Sequence, residues 1–315
     1  MSYSNRIFFY GPVGLLVLLV ILYSVFWRVQ ADTLAARLDR ANGGEVLPGV
    51  VFAFAEKSVG GYPFRLDVVL SGVTFSHRAP EGETAWRSEK LAVHALSYER
   101  DRFIFEASGL QSFARPPLRM GGVPRVTYVT PAVARASAIF VEGKLTRFDA
   151  DLYGVQAKEA DASAKPQDTF SADRMQLHVL ARPDNRADVI AEVNNAKIGA
   201  GWTGGGELLL PGSRLTGKLT QRQTLEPLRT AQISIADAVL AWRKAGGALS
   251  VSDLAVNWGS AHGDLKGDLV LDDQNRPSGT LTGEQIGTGD ARIPFGLVFA
   301  KGGIKLALPA RAGSP

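Results

Sequence analysis

Between Ile7 and Trp27 the chain reads IFFYGPVGLLVLLVILYSVFW, with no charged residue and no Asn or Gln. At about 1.5 Å per helical residue this segment is about 30 Å long, the thickness of a bilayer's hydrocarbon core. Phe8, Phe9 and Tyr10 crowd one end, and Tyr23, Phe26 and Trp27 the other, where amphipathic rings favour the headgroup layer. Pro12 falls in the first turns, where its missing N–H costs least. The segment predicts a transmembrane helix over residues 7–27, which decides where the rest of the chain works. A cleaved signal peptide is the competing reading, because Val29-Gln30-Ala31 resembles a cleavage site. The apolar run exceeds the roughly 7–15 residues of a signal h-region, which favours a retained anchor.

Orientation rests on weaker features. Arg6 stands before the span, and Arg28, Arg37 and Arg40 follow it, partly offset by Asp32 and Asp39. The positive-inside count does not favour a cytoplasmic tail, but long domains translocate largely regardless of charge. There is no cysteine. That removes disulfides, metal-thiolate sites and thiol nucleophiles together, and it suits an oxidising compartment. The expectation is a short cytoplasmic tail (1–6), a single pass through the inner membrane and a periplasmic bulk in a Gram-negative envelope.

Past the span, residues 28–45 form a juxtamembrane helix and linker. Leu34, Leu38 and Ala41 make one apolar stripe, and Asn42-Gly43-Gly44 ends the helix. Two readings stay open: a spacer orienting the domain on the bilayer, or a helix packed on the domain's edge. From Val46 the hydrophobic period becomes two. Phe64, Leu66, Val68 and Leu70 alternate with Arg65, Asp67, Val69 and Ser71, and Val73 and Phe75 resume after Gly72. The same rhythm recurs at Leu91/Val93/Ala95, Phe103/Phe105, Phe148/Ala150/Leu152, Met175/Leu177/Val179 and Val189/Ala191/Val193. It ends at Ile293/Phe295/Leu297/Phe299 and Ile304/Leu306/Leu308. Close spacing between runs predicts hairpins and an antiparallel sheet. One polar face per strand predicts a sheet covered on one side only.

The fold class is therefore mostly β: an N-terminal transmembrane helix, then an elongated, curved antiparallel sheet over 46–315 with one short amphipathic covering helix. The Pro/Gly-rich stretch 111–124 is a candidate break between sub-lobes. The covering helix is expected near 235–245, opened by the capping-box pattern Ser234-Ile235-Ala236-Asp237 and stopped by Gly246-Gly247. Ile235, Val239 and Trp242 are its expected apolar face.

Chemistry-bearing motifs are scarce. Gly212 to Lys218 fits GxxxxGK, but Leu219 stands where a phosphate loop needs Ser or Thr, and a strand rhythm runs through it. Gly201-Trp-Thr-Gly204-Gly205-Gly206 lacks dinucleotide-binding spacing and reads as a turn. His77, His94, His178 and His262 occur singly, without metal-ligand spacing, and no GxSxG elbow occurs. The formal charge of +4 comes without a run of Lys or Arg, so nucleic acid is not an expected partner. No catalytic residue, metal or cofactor is expected.

Gly60-Gly61-Tyr62-Pro63-Phe64-Arg65 with the Leu66–Phe75 strand resembles the hallmark of domain-of-unknown-function family 2125. Ala241 to Gly247 is similar to that family's late Trp-bearing helix and Gly-Gly turn. Gly267 to Asp272 and Arg276-Pro277-Ser278-Gly279 are similar to the strands after it. The resemblance implies one membrane helix and a β-domain over nearly the whole chain, with no activity to transfer. Family members carry a helical insertion before the last hairpin, for which Thr280 to Ile293 is too short. A looser similarity links these strands to AsmA-like envelope proteins and, by analogy, to lipid handling.

Gly61, Tyr62, Pro63 and Phe64 read as structural, the two rings packing under the first strand. The functional expectation is an anchored, non-catalytic envelope protein binding phospholipid or another acyl-chain ligand on an apolar sheet face. Phe64, Leu66, Val68, Leu70, Phe295, Leu297, Phe299, Ile304 and Leu306 are the candidate groove. The alternative is a scaffold with a closed core and envelope protein partners; an enzyme without a recognisable motif is third.

Overall fold

The computed structural model describes residues 4–79, 82–99, 101–116, 123–161, 166–199, 208–258, 261–286, 292–301 and 303–307. Helix α1 (Ser4–Ala41) runs unbroken through the apolar segment and beyond it. Its 38 residues are about 57 Å long at about 1.5 Å each, nearly twice a bilayer core. Its two halves have different surroundings. From Val13 to Leu22 the apolar side chains stand exposed, and the helix is long and apolar enough to cross a membrane. From Tyr23 onward it lies on protein. Trp27 and Ala31 are buried, and Leu34, Leu38 and Ala41 pack on the first core cluster. The juxtamembrane helix is thus packed on the domain's edge. Asn42 ends it by donating to the Phe54 carbonyl (3.2 Å) and accepting the Phe54 N–H (2.9 Å).

Among the described residues of the remainder, 17 strands form one antiparallel sheet. Strands β1 (Gly44–Leu47), β2 (Val50–Ala53) and β3 (Glu56–Gly60) are short; β2 and β3 lie end to end along β4 (Arg65–Ala79). β5 (Gly82–Leu96) and β6 (Arg102–Arg115) follow. β7 (Arg125–Thr130) and β8 (Val133–Val141) then lie end to end between β6 and β9 (Lys144–Asp161). β6 runs into the 111–124 stretch, and its residues Gln111 to Arg115 pair with β7. The meander continues through β10 (Gln167–Ala181), β11 (Ala187–Ile198), β12 (Leu208–Leu219), β13 (Leu249–Trp258), β14 (Ala261–Leu271), β15 (Pro277–Ile286), β16 (Arg292–Ala300) and β17 (Gly303–Ala307). The GxxxxGK decoy lies within β12. β15 and β16 pair antiparallel as far as Ile286 and Arg292.

A crease crosses the first half of the sheet. Gly72, Gly109, Gly154 and Asn195 have φ of 62°, 75°, 56° and 49°. They lie on alternate strands, each two residues beyond the cross-strand row Leu70–Leu91–Ala107–Ala134–Leu152–Met175–Val193. A left-handed residue bends its strand and shifts side-chain alternation by one. Hence the apolar face uses Leu66, Val68 and Leu70 before Gly72 but Val73 and Phe75 after it: Val68, Leu70, Val73 and Phe75 all pack in one cluster with Phe52, and Leu66 lines the same cavity as Phe52. The four bends fall in one line across the sheet.

Two clusters of buried side chains form the core. One gathers Phe52, Phe54, Val68, Leu70, Val73 and Leu91 beneath α1. The other gathers Val251, Leu265, Leu281 and Phe295 at the far end, where Leu265 and Leu281 are 0% exposed. Helical cover is slightly larger than expected: a 3-10 turn (Arg222–Leu225) and α2 (Glu226–Arg229) precede α3 (Ile235–Lys244). Ser234 caps α3, accepting the Asp237 N–H at 3.1 Å. The expected face of α3 needs correction. Ala238 and Trp242 are buried, while Ile235 is 52% exposed. The Trp242 indole donates to the Thr220 carbonyl (2.7 Å) at the end of β12, and this bond sets which side of the helix turns inward.

Candidate functional site

The Gly61–Arg65 segment is a clasp on helix α1. Gly61 has φ 97°, and a Cβ there would stand 2.8 Å from the Arg65 carbonyl oxygen; only glycine fits the turn. The Tyr62–Pro63 peptide is cis. The Tyr62 hydroxyl and Ser24 Oγ are 2.7 Å apart, and its ring meets Trp27 edge-on at 5.4 Å. Tyr23 donates to the Pro63 carbonyl (2.5 Å) and Trp27 Nε1 to the Arg65 carbonyl (2.8 Å). The expected packing of both rings under the first strand is therefore corrected: Tyr62 is 51% exposed and turned to the helix, and Phe64 is 65% exposed. Phe64 precedes β4 and so lies beyond the alternation that would have turned it inward. On the next edge Lys57 donates to the Ala35 carbonyl and pairs with Asp39.

Above this clasp, α1 and the sheet line a half-open cavity of about 470 Å³, within the roughly 300–1,000 Å³ of small-molecule sites. Leu66, Val68, Leu70, Val93, Phe103 and Phe105 form its sheet wall; Leu34 and Leu38 close it from the helix. Gln30, Thr33 and Arg37 supply its polar side. Arg28 pairs with Asp32 at 3.2 Å, and Arg40 donates to the Ala36 carbonyl. Arg37 is exposed and makes no hydrogen bond or ion pair with the described residues.

The cavity is one end of a longer feature. Directly opposed residues of paired strands project to the same face, so a face can be followed by register. Val68, Val93, Phe105, Ala136, Ala150, Leu177, Ala191, Leu215, Leu254, Leu265, Gly283 and Phe295 form one such row. Beside it run Leu66, Ala95, Phe103, Ala138, Phe148, Val179, Val189, Gly217, Val251, Gly267, Leu281 and Leu297. Neither row contains a polar side chain. At about 4.8 Å per strand each extends roughly 50–55 Å along the sheet. In the first row the ends, Val68 and Phe295, are buried, whereas Phe105, Ala150, Leu177, Ala191 and Leu215 in its middle are half-buried. A second apolar cavity of about 360 Å³ lies on this face, between Phe148, Val179 and Leu219 and the Leu225 and Leu228 side chains.

Among the groove candidates, Leu66, Val68 and Leu70 thus line one cavity, and Phe295 belongs to the far cluster with Leu297 and Phe299 packed on it. These two sets share a face but not a pocket. Ile304 and Leu306 hold the register positions opposite Phe299 and Leu297; their side chains lie outside the described residues. So do the side chain of His262 and the whole of Gly201–Gly206.

The opposite face is charged. Glu106, Arg135, Asp151, Gln176, Glu192 and Arg214 follow one another across strands, with ion pairs Arg135–Glu106 (2.8 Å), Arg174–Asp151 (2.7 Å) and Arg214–Glu192 (3.2 Å). Two alike polar knots stand on it: Arg65–Asp67–His94 and Arg147–Asp149–His178, each imidazole 2.7 Å from its carboxylate. Burial alone would raise both aspartates, but hydrogen bonds from the His and Arg partners hold them below the usual carboxylate range. Ser137 lies opposite Asp149, on the side away from His178. The acid therefore sits between hydroxyl and imidazole, the wrong order for activating a nucleophile. No group of three or more metal-ligating side chains occurs among the described residues.

A family model described as an uncharacterized protein conserved in bacteria (DUF2125) matches residues 27–292. The match begins at Trp27, the residue with which α1 docks on the clasp. No curated protein sequence matches the chain, and no solved structure does.

Proposed function

The chain belongs to the bacterial family of domain of unknown function 2125, and from that premise we propose that it is a membrane-anchored, non-catalytic envelope protein that binds acyl chains along its apolar sheet face. The carrying observation is the pair of uninterrupted apolar rows that begins beneath the helix emerging from the apolar span. A fully packed domain would cover such rows with a second layer. Here Phe105, Ala150, Leu177, Ala191 and Leu215 of the first row are only half-buried, which suits a surface filled by a ligand.

Retention of the anchor is supported by the same geometry. Cleavage after Ala31 would remove Tyr23, Ser24 and Trp27, and with them the contacts to the clasp. The reading places the amino terminus in the cytoplasm and the sheet in the periplasm of a Gram-negative cell, attached to the inner membrane. A reporter active only outside that membrane, fused after Pro315, is expected to be active; activity of a cytoplasm-only reporter would reverse the topology.

Ligand binding is tested in cells with a photoreactive amino acid placed at Val93, Leu177 or Leu215 on the apolar face, and at Gln176 on the charged one. Lipid adducts at the first three and none at Gln176 are expected. Adducts at none of them would leave the scaffold reading, with its envelope protein partners, in place.

A further inference from the structure

The cavity beside α1 has apolar walls and, at its edge, the exposed Arg37, which pairs with none of the described residues. Arg37 lies ten residues past Trp27 on α1, about 15 Å further along the helix. The acids of that helix are engaged elsewhere, Asp32 with Arg28 and Asp39 with Lys57. Arg37 thus lines a cavity whose sheet wall is Leu66, Val68, Phe103 and Phe105, with no carboxylate paired to it among the described residues. A guanidinium presents paired N–H donors that match phosphate oxygens. An apolar slot with such a donor at its rim recognises an amphiphile carrying an anion one headgroup away from a hydrocarbon chain.

We infer that this cavity holds an acyl chain of an anionic phospholipid, with Arg37 paired to the phosphate-bearing headgroup. The inference rests on the acyl-chain reading and names its ligand class. A membrane lipid is the source because the helix that leaves the apolar span also lines the cavity, through Gln30, Leu34 and Leu38. An anionic headgroup is selected because a zwitterionic one would set its own ammonium beside a guanidinium that already lacks a counter-charge.

The test uses the full chain in vesicles of phosphatidylcholine with phosphatidylglycerol, one of the two bearing a photoreactive acyl terminus in each experiment. Cross-linked peptides from residues 65–107 report the cavity; those from residues 7–27 report lipid around the anchor. The native chain is expected to cross-link phosphatidylglycerol at 65–107 about tenfold over phosphatidylcholine, the scale of one charge-assisted hydrogen bond. Arg37→Gln should erase the preference and Arg37→Lys retain part of it, both with an unchanged unfolding midpoint. Equal cross-linking of the two lipids at 65–107 by the native chain overturns the headgroup assignment and leaves acyl-chain binding standing. Labelling confined to residues 7–27 overturns both. A preference that survives in Arg37→Gln overturns the role of Arg37.

Discussion

Trp242 shows how one side chain fixes an element. Its ring is buried, its indole N–H is bonded to Thr220, and Gly247 packs so closely on it that a Cβ there would stand 2.2 Å from the ring. Trp242→Ala should destabilise the domain by about 3–5 kcal/mol, whereas Ile235→Ala, at an exposed position, should stay within about 0.5 kcal/mol; denaturant unfolding of both variants checks the pair. The capping of α3 was legible because Ser234 and Asp237 are three residues apart. Its buried face was not, because Thr220 lies twenty-two residues upstream. Asp272 is a second residue with a measurable signature. The Arg276 guanidinium and N–H, with the Gln274 N–H, lower its carboxyl to about 2. A folded value below the unfolded one, about 3.9, means that the unfolded chain binds more protons between the two. This contribution is therefore present above about pH 4 and is lost as pH falls through about 2. Acid titration of the unfolding midpoint should be less steep in Asp272→Asn than in the parent, and equal slopes would remove Asp272 as the cause.

Among the elements, α1 departs most from its sequence reading. Tyr23 and Trp27 look like an interfacial aromatic belt, and local composition cannot tell that role from docking. Their partners Tyr62, Pro63 and Arg65 are 35 to 40 residues away. The clasp itself was visible as a motif but not as a clasp, since no spacing rule links it to a helix end. Removing its ring should free the docked half: in Tyr62→Ala, amide exchange over residues 28–41 is expected to rise while the β5–β6 ladder stays protected. Tyr62→Phe loses only the hydroxyl contact with Ser24, worth about 0.5–1.5 kcal/mol. Unchanged exchange in Tyr62→Ala would mean that Leu34 and Leu38 alone hold the helix. The strands were far more legible, because period two is a local signal. The crease was not. Gly72, Gly109, Gly154 and Asn195 each pass for an isolated turn or bulge residue until register aligns them.

At the scale of the molecule, the alternation within each strand told which residues share a face, but not which rows they join. Val68 and Phe295 are far apart in sequence, and only the register carried through each intervening pair puts them in one row. That row makes opposite predictions for its two environments. Val68 is packed beneath α1, where an unpartnered carboxylate costs several kcal/mol, so Val68→Glu should unfold the domain whatever the face binds. Ala191 is half-buried between Leu177 and Leu215. If lipid covers the middle of the row, Ala191→Glu leaves the ladder hydrogen bonds intact and the new carboxylate in water whenever lipid is absent. The variant should then melt within a few degrees of the parent and lose lipid adducts at Leu177 and Leu215. If the middle is instead closed by protein packing, the charge is buried without a partner, Ala191→Glu collapses like Val68→Glu, and the parent carries no lipid. That second pattern would sink acyl-chain binding and leave a curved scaffold on a membrane anchor.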